Sequence, residues 1–120
     1  MTRGPFRSLL FAPGNHPRKA EKVFGAGADA AILDLEDAVP LAEKENARGA
    51  AVEGMKRPRE CLGLVRVNAE DTEFCEGDLG AVVGPWLDGI ILPKVETAAQ
   101  LLSVDKLIQG FEQGQGMEPG

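Results

Sequence analysis

The chain has 120 residues, enough for one ordinary domain, and its 43% apolar content can supply a core. A net charge of −6 and a pI near 4.8 argue against nucleic acid or anionic membrane as partners, since both call for a basic patch, but leave room for a local cationic pocket. No apolar run approaches the roughly 20 residues of a membrane span.

Met1 to Arg7 carries two arginines, but the apolar stretch after it, Leu9 to Ala12, is too short for the core of a secretory signal. The first apolar run is Ser8–Ala12 (SLLFA). It ends in Pro13-Gly14-Asn15-His16, where Asn15 is placed to cap a helix with Pro17 in its first turn. Ala20, Val23 and Phe24 form one face of that helix, and Gly25 and Gly27 stop it. The second run, Ala30–Leu35, ends in a burst of acid: Asp34, Glu36 and Asp37. Residues 41–56 then read as a weaker helix, since Gly49 and Gly54 each cost about 1 kcal/mol against alanine.

The third run, Leu62–Val67, contains Arg66 and continues to Asn68. Residues 72–83 carry Phe74, Leu79, Val82 and Val83, a further helical segment. The fourth run, Gly89–Pro93, leads into Lys94, Val95 and Glu96. Thr97 and Gln100 are spaced as a capping box before Leu101, Val104, Ile108 and Phe111, a helical stripe. From about 109 onward the glycines of the tail suggest a loop or linker reaching Gly120.

The four apolar runs do not alternate, as expected of strands buried on both faces of a parallel sheet. Strand and helix alternate four times, which argues for an α/β fold with right-handed crossovers. Chemistry in such folds collects at the carboxyl ends of the strands, and all four runs end in polar residues. Period-two geometry puts Arg66 and Asn68 on one face, Lys94 and Glu96 on one, and Asp34 and Glu36 on one; Asp37 lies opposite or starts the loop.

Arg66 is the hardest of these to read as incidental. Arginine inside an apolar run needs a carboxylate partner, or a ligand's carboxylate or phosphate. A single strand-end acid can be a helix cap or a loop residue, Lys94 and Glu96 a surface pair, and His16 an exposed first-turn residue or an anion contact. Cys75 and Trp86 read as packing. Cys61 and Cys75 have no metal-ligand spacing and read as free thiols in a reducing, cytoplasmic setting.

Four segments, LLFAPGNHP, GADAAILDLEDAV, LVRVNAEDT and LDGIILPKVET, resemble in order and spacing the citrate lyase beta-subunit-like aldolases, including the malyl-CoA lyases. The resemblance runs from Ser8 to Gly120. It implies a TIM barrel and a Mg2+-dependent carbon–carbon lyase. Such an enzyme acts on a CoA or acyl-carrier thioester of a 3-hydroxy acid and gives an acetyl thioester and a 2-oxo acid. By the same resemblance Arg66 holds the oxo-acid carboxylate or carbonyl, and Phe11, His16 and Lys22 contact substrate or CoA. The family commonly has arginine where this chain has His16. Glu36 and Asp37 match its acidic strand end and are expected to orient metal-bound water or Arg66 rather than to ligate the metal. A homo-oligomer is expected.

A TIM barrel usually needs about 250 residues. Four βα units are half of one, and in the family the Mg2+ carboxylates come from strands five and six. Residues 1–120 are therefore expected to be the N-terminal half of such an enzyme, inactive alone, with metal ligands beyond residue 120. The alternative is a non-catalytic half-barrel serving as an assembly or regulatory subunit.

Overall fold

A computed structural model describes residues 8–117 and shows an α/β chain built from four βα units. In order these are β1 (Leu9–Pro13), α1 (Pro17–Phe24), β2 (Ala30–Asp34), α2 (Lys44–Lys56, preceded by a 3-10 turn over Leu41–Glu43), β3 (Leu62–Arg66), α3 (Cys75–Val82), β4 (Gly89–Ile91) and α4 (Ala98–Gly114). The strands form one parallel sheet in the order β1-β2-β3-β4. The alternation read from the sequence is thus the alternation observed. Among the described residues no helix is long and apolar enough to cross a membrane.

The core lies between the sheet and its helices. Ala31, Leu33 and Leu35 from β2 and its end, with Val65 and Val67 from β3, meet Ala47, Ala51 and Met55 of α2 and Leu79 and Val82 of α3. Period two sends Ile32, Asp34, Leu64 and Arg66 to the opposite face. Burial is complete along β2 and falls away towards the edges: β4 is half-buried, and β1 exposes Leu9, Leu10 and Phe11. Both cysteines are free. Cys75 packs in the core, and burial, helped by Asp78, pushes its thiol up to about 11, which makes it an inert filler.

Four local expectations need correction. The N-cap of α1 is His16, not Asn15: Pro17 takes the first helical position, so the residue before it holds the extended cap conformation. Asn15 instead donates to the Glu43 carboxylate at 3.0 Å. The fourth strand stops at Ile91 rather than Pro93, since proline lacks the N–H a ladder uses. Asn68 does not share a face with Arg66. It lies beyond the end of β3, where the alternation lapses, and the buried Asp78 draws it to the helix side through two bonds, 2.9 Å from the backbone N–H and 2.7 Å from the amide.

The fourth correction is the tail. Residues 110–114 continue α4, because Phe111 packs over Gly80 and Glu112 is buried. The helix closes in a Schellman motif: Gly116 has φ 71 and donates to the Gln113 carbonyl, while Met117 donates to that of Glu112 at 2.8 Å. The Thr97–Gln100 capping box forms as read, with both reciprocal bonds present.

Gly14 ties the β1–α1 turn to the end of β2. Its N–H donates to the Asp34 carbonyl at 2.8 Å. A Cβ at this position would sit 2.9 Å from Leu35 Cδ2 and 3.0 Å from that carbonyl, which is backbone and cannot swing aside. Gly14→Ala is therefore expected to destabilise the chain by about 1–3 kcal/mol, the usual cost of overpacking, measured as a lower urea midpoint at unchanged slope. A variant as stable as the parent would show that the turn is free to lift away.

Candidate functional site

Strand register assembles the polar residues. Asp34 is the last residue of β2 and pairs with Arg66, the last of β3. Both point to the face away from the helices. Arg66 grips Asp34 with two parallel bonds, Nε to Oδ1 at 2.8 Å and Nη2 to Oδ2 at 2.7 Å, the fork geometry that arginine offers a carboxylate. Asp34 is 1% exposed, and its remaining lone pairs accept the backbone N–H groups of Glu36 at 2.9 Å and Ala38 at 3.0 Å. Burial alone would raise its pKa. The Arg66 bonds and the two backbone donors outweigh that and hold Asp34 below the usual carboxylate range. The same carboxylate holds the Arg66 guanidinium above its ordinary value, so the fork is a fixed cation.

The loop after β2 turns back over this pair. Glu36, itself buried, reaches to 3.6 Å from Arg66 Nε and accepts from Lys94 Nζ at 2.7 Å. Lys94 follows β4 with φ 55, a left-handed conformation uncommon outside glycine, and it also lies 3.7 Å from Asp37. The bond to Glu36, reinforced by Asp37, raises the Lys94 pKa. Phe11, on β1, closes the other side, with the Arg66 guanidinium stacked 4.9 Å from the ring centroid. Four strands thus contribute to one mouth: Phe11, Asp34 with Glu36, Arg66, and Lys94.

A second polar layer lies beneath, on the helix side. Lys44, 8% exposed at the start of α2, donates to the carbonyls of Leu35 at 3.1 Å and Glu36 at 2.8 Å. The Asn68 amide also donates to Leu35 O, at 2.9 Å. Asp78, fully buried, accepts from Asn68 and from Arg48 Nε at 2.8 Å. These bonds pin the peptides that carry Glu36.

Of the residues marked from the sequence, the fold brings together Phe11, Glu36 and Arg66, with Asp37 at the exposed rim. No hydrogen bond or ion pair among the described residues joins His16 or Lys22 to this cluster. His16 is an exposed cap, and Lys22 lines a groove of about 300 Å3 with Leu10, Phe11 and Val23. Among the described residues Glu96 does not pair with Lys94, whose partners are Glu36 and Asp37; the Glu96 backbone N–H donates to Gln100 Oε1 at 2.8 Å. Asp34 is the member whose role the sequence reading missed, and period two held the clue, since it lies in register with Arg66 across the two strands. Lys44 gives no such signal, since the periodicity of α2 does not set it apart. Among the described residues no group of three or more His, Cys, Asp or Glu side chains is arranged to hold a metal.

Comparison with known proteins places this geometry. Residues 7–120 match the HpcH/HpaI aldolase/citrate lyase family. The chain is 41% identical over 116 residues to the citrate lyase subunit beta of Escherichia coli, covering 95% of this chain and 38% of that protein. It is 43% identical over 110 residues to a (3S)-malyl-CoA thioesterase of Cereibacter sphaeroides, covering 87% of this chain and 37% of that one. Among solved structures, CitE of Mycobacterium tuberculosis in complex with magnesium and pyruvate superposes with a TM-score of 0.67 at 38% identity, over 79% of this chain and 38% of that one. The chain therefore spans less than two fifths of the length of the curated relatives quoted.

The Asp34–Arg66 pair makes stability depend on pH in a defined direction. A carboxyl whose folded pKa is depressed contributes stability above its unfolded pKa and loses it as pH falls through the folded value. Asp34→Asn is expected to cost roughly 3 kcal/mol at pH 7, because it strands a partly buried guanidinium. That difference from the parent should narrow as pH falls below the ordinary aspartate value of 3.8. Urea titrations of both proteins from pH 7 to acid check this; a gap that stays constant with pH would mean that Asp34 is not held ionised.

Proposed function

The chain belongs to the HpcH/HpaI aldolase/citrate lyase family, and from that premise we propose that it supplies one part of the active site of a carbon–carbon lyase. The substrate is a CoA or acyl-carrier thioester of a 3-hydroxy acid, and the products are an acetyl thioester and a 2-oxo acid. A cytoplasmic setting belongs to the same reading.

One observation carries it. The Arg66 fork is fixed by Asp34 at a strand end, is 24% exposed in its side chain, and keeps its Nη1 edge outside that pair. A cation so held cannot collapse onto the substrate or swing away from it, so it can receive a carboxylate or a developing oxo-acid carbonyl at a set position. Structures of CitE from Mycobacterium tuberculosis have been solved with magnesium and pyruvate and with magnesium and acetoacetate, and the citrate lyase beta subunit from that organism with oxaloacetate and magnesium. All three organic partners are small oxo-carboxylates, the class the fork would take.

In the cleavage, the bond between the carbinol carbon and the carbon next to the thioester breaks. Its electrons pass to the thioester side as an enolate, the hydroxyl loses its proton and becomes the 2-oxo carbonyl, and protonation of the enolate gives the acetyl thioester. Arg66 stabilises charge on the oxo-acid half throughout. Lys94 adds a second positive charge at the rim, and the Glu36 carboxylate bridges the two cations, 2.7 Å from Lys94 Nζ and 3.6 Å from Arg66 Nε. Phe11 offers a ring face against which the guanidinium stacks, 4.9 Å from its centroid.

Mg2+ fits the family, but these residues do not by themselves form its cage. Asp34 spends its oxygens on Arg66 and two backbone N–H groups, and Glu36 is held by Lys94. The metal ligands of the proposed enzyme therefore lie outside the described residues, and Glu36 and Asp37 act beside the metal. It follows that the 120-residue chain alone should show no saturable Mg2+ binding below the millimolar range in calorimetry and no lyase activity. Tight binding would put the ligands within this chain.

The activity itself is tested by a chimera in which residues 1–120 replace the matching segment of the Escherichia coli citrate lyase subunit beta. It should show Mg2+-dependent lyase activity. Arg66→Lys within it should lower kcat/KM by roughly 10- to 100-fold, since the charge stays but the fork is lost, a change of about 1–3 kcal/mol. A folded chimera without activity would sink the reading, and unchanged kinetics in the lysine variant would remove Arg66 from the site.

A further inference from the structure

Lys44 is the odd member of the layer on the helix side. Its side chain is buried, yet among the described residues no carboxylate stands within ion-pair distance of its ammonium. Its contacts are the Leu35 carbonyl at 3.1 Å, the Glu36 carbonyl at 2.8 Å and the Phe74 ring. Burying a charge without a counter-ion is costly. Satisfying a carbonyl does not require one, since the neutral Asn68 amide already donates to Leu35 O at 2.9 Å. A lysine in this place has to be explained by its charge.

The peptide that receives this charge has a second end. Leu35 O and the Glu36 N–H belong to one peptide group. Its oxygen takes Lys44 and Asn68 from the helix side, and its N–H donates at 2.9 Å to Asp34 Oδ1. That same carboxylate oxygen accepts Arg66 Nε at 2.8 Å. An unbroken line thus crosses the sheet from ammonium to peptide to carboxylate to guanidinium. The peptide turns its oxygen to the cation and its N–H to the anion. Hydrogen bonds in such a chain polarise and strengthen one another, by roughly 10–30% per bond.

We propose that Lys44 is a positioning residue for Arg66, acting through the Leu35–Glu36 peptide and the Asp34 carboxylate. Strand register sets where the fork forms, and the line from Lys44 sets how firmly Asp34 holds it. Without the ammonium the Glu36 N–H is a weaker donor, Asp34 is less tightly fixed, and the guanidinium it carries gains freedom to drift from the position a substrate needs. The catalytic consequence rests on the lyase reading above, whereas the line of bonds does not.

Two double-mutant cycles between Lys44→Met and Asp34→Asn test it. In urea at pH 7, on the 120-residue chain, Lys44→Met should lower the midpoint in the parent, and by about half as much or less when Asp34 is already Asn. In the chimera described above, Lys44→Met should lower kcat/KM by about tenfold or more, the scale of a slightly misplaced group, and this loss too should fade in the Asp34→Asn background. A lysine that only satisfied carbonyls would cost the same midpoint in both backgrounds and leave kcat/KM of the folded, active chimera at the parent value; either result would overturn the proposal. Should Lys44→Met not fold, Lys44→Gln, which drops the charge and keeps a donor, takes its place in both cycles with the same expectations. A chimera inactive before any of these substitutions counts against the lyase reading alone, and the urea cycle then decides for or against the line from Lys44.

Discussion

The bidentate pair between Asp34 and Arg66 is the constraint on which the rest of the mouth depends. It joins the last residues of two adjacent parallel strands, so its geometry is set by sheet register and not by a loop. An arginine in that place would be costly without a partner, and a buried aspartate costlier still. Together, and with two backbone donors completing the carboxylate, they form a satisfied unit whose surplus hydrogen-bonding capacity lies on the guanidinium side. The net result is a formally neutral pair that still presents unspent guanidinium N–H donors, at the end of the sheet where α/β folds place their ligands.

The layer on the other side of the sheet explains why the acidic loop does not drift. Lys44 and Asn68 satisfy the carbonyls of Leu35 and Glu36, groups that the strand ladder no longer serves once β2 has ended. Asp78 holds Asn68, and Arg48 holds Asp78. Each member answers a buried polar group of the next, so the network is complete, which is the condition under which buried polar residues rigidify a fold. The side chain of Glu36 is thus aimed from below by residues that never enter the mouth.

Much of this was legible in the sequence. Short apolar runs with polar ends, separated by helical signals, are enough to give parallel strands and to place the chemistry at their carboxyl ends, and the four motif segments gave the family. Arg66 stood out because a charge in an apolar run demands a partner. What escaped was of two kinds. Asp34 looked like one acid among three, because sequence order does not say which of them faces a neighbouring strand; only the register does. Asn68 and the 110–114 segment were misread because local rules lapse where tertiary contacts take over: alternation ends with the strand, and Phe111 over Gly80 sustains a helix through two glycines. Gly116, taken as a sign of looseness, is the residue that terminates the helix in a defined way.

Lys94 carries a cost that reveals what its position is for. It is the one non-glycine residue at positive φ among those described, and holding an L-residue there costs about 1–2 kcal/mol. Glycine would relieve the backbone at once, and asparagine in part. The chain keeps a lysine, whose ammonium group is the bond to Glu36 and the second cation of the mouth. Stability and charge are in direct exchange at this residue. A search for stabilised variants that scores folding alone will find position 94 early, and each improvement it finds there will erase the cation that the strain exists to hold.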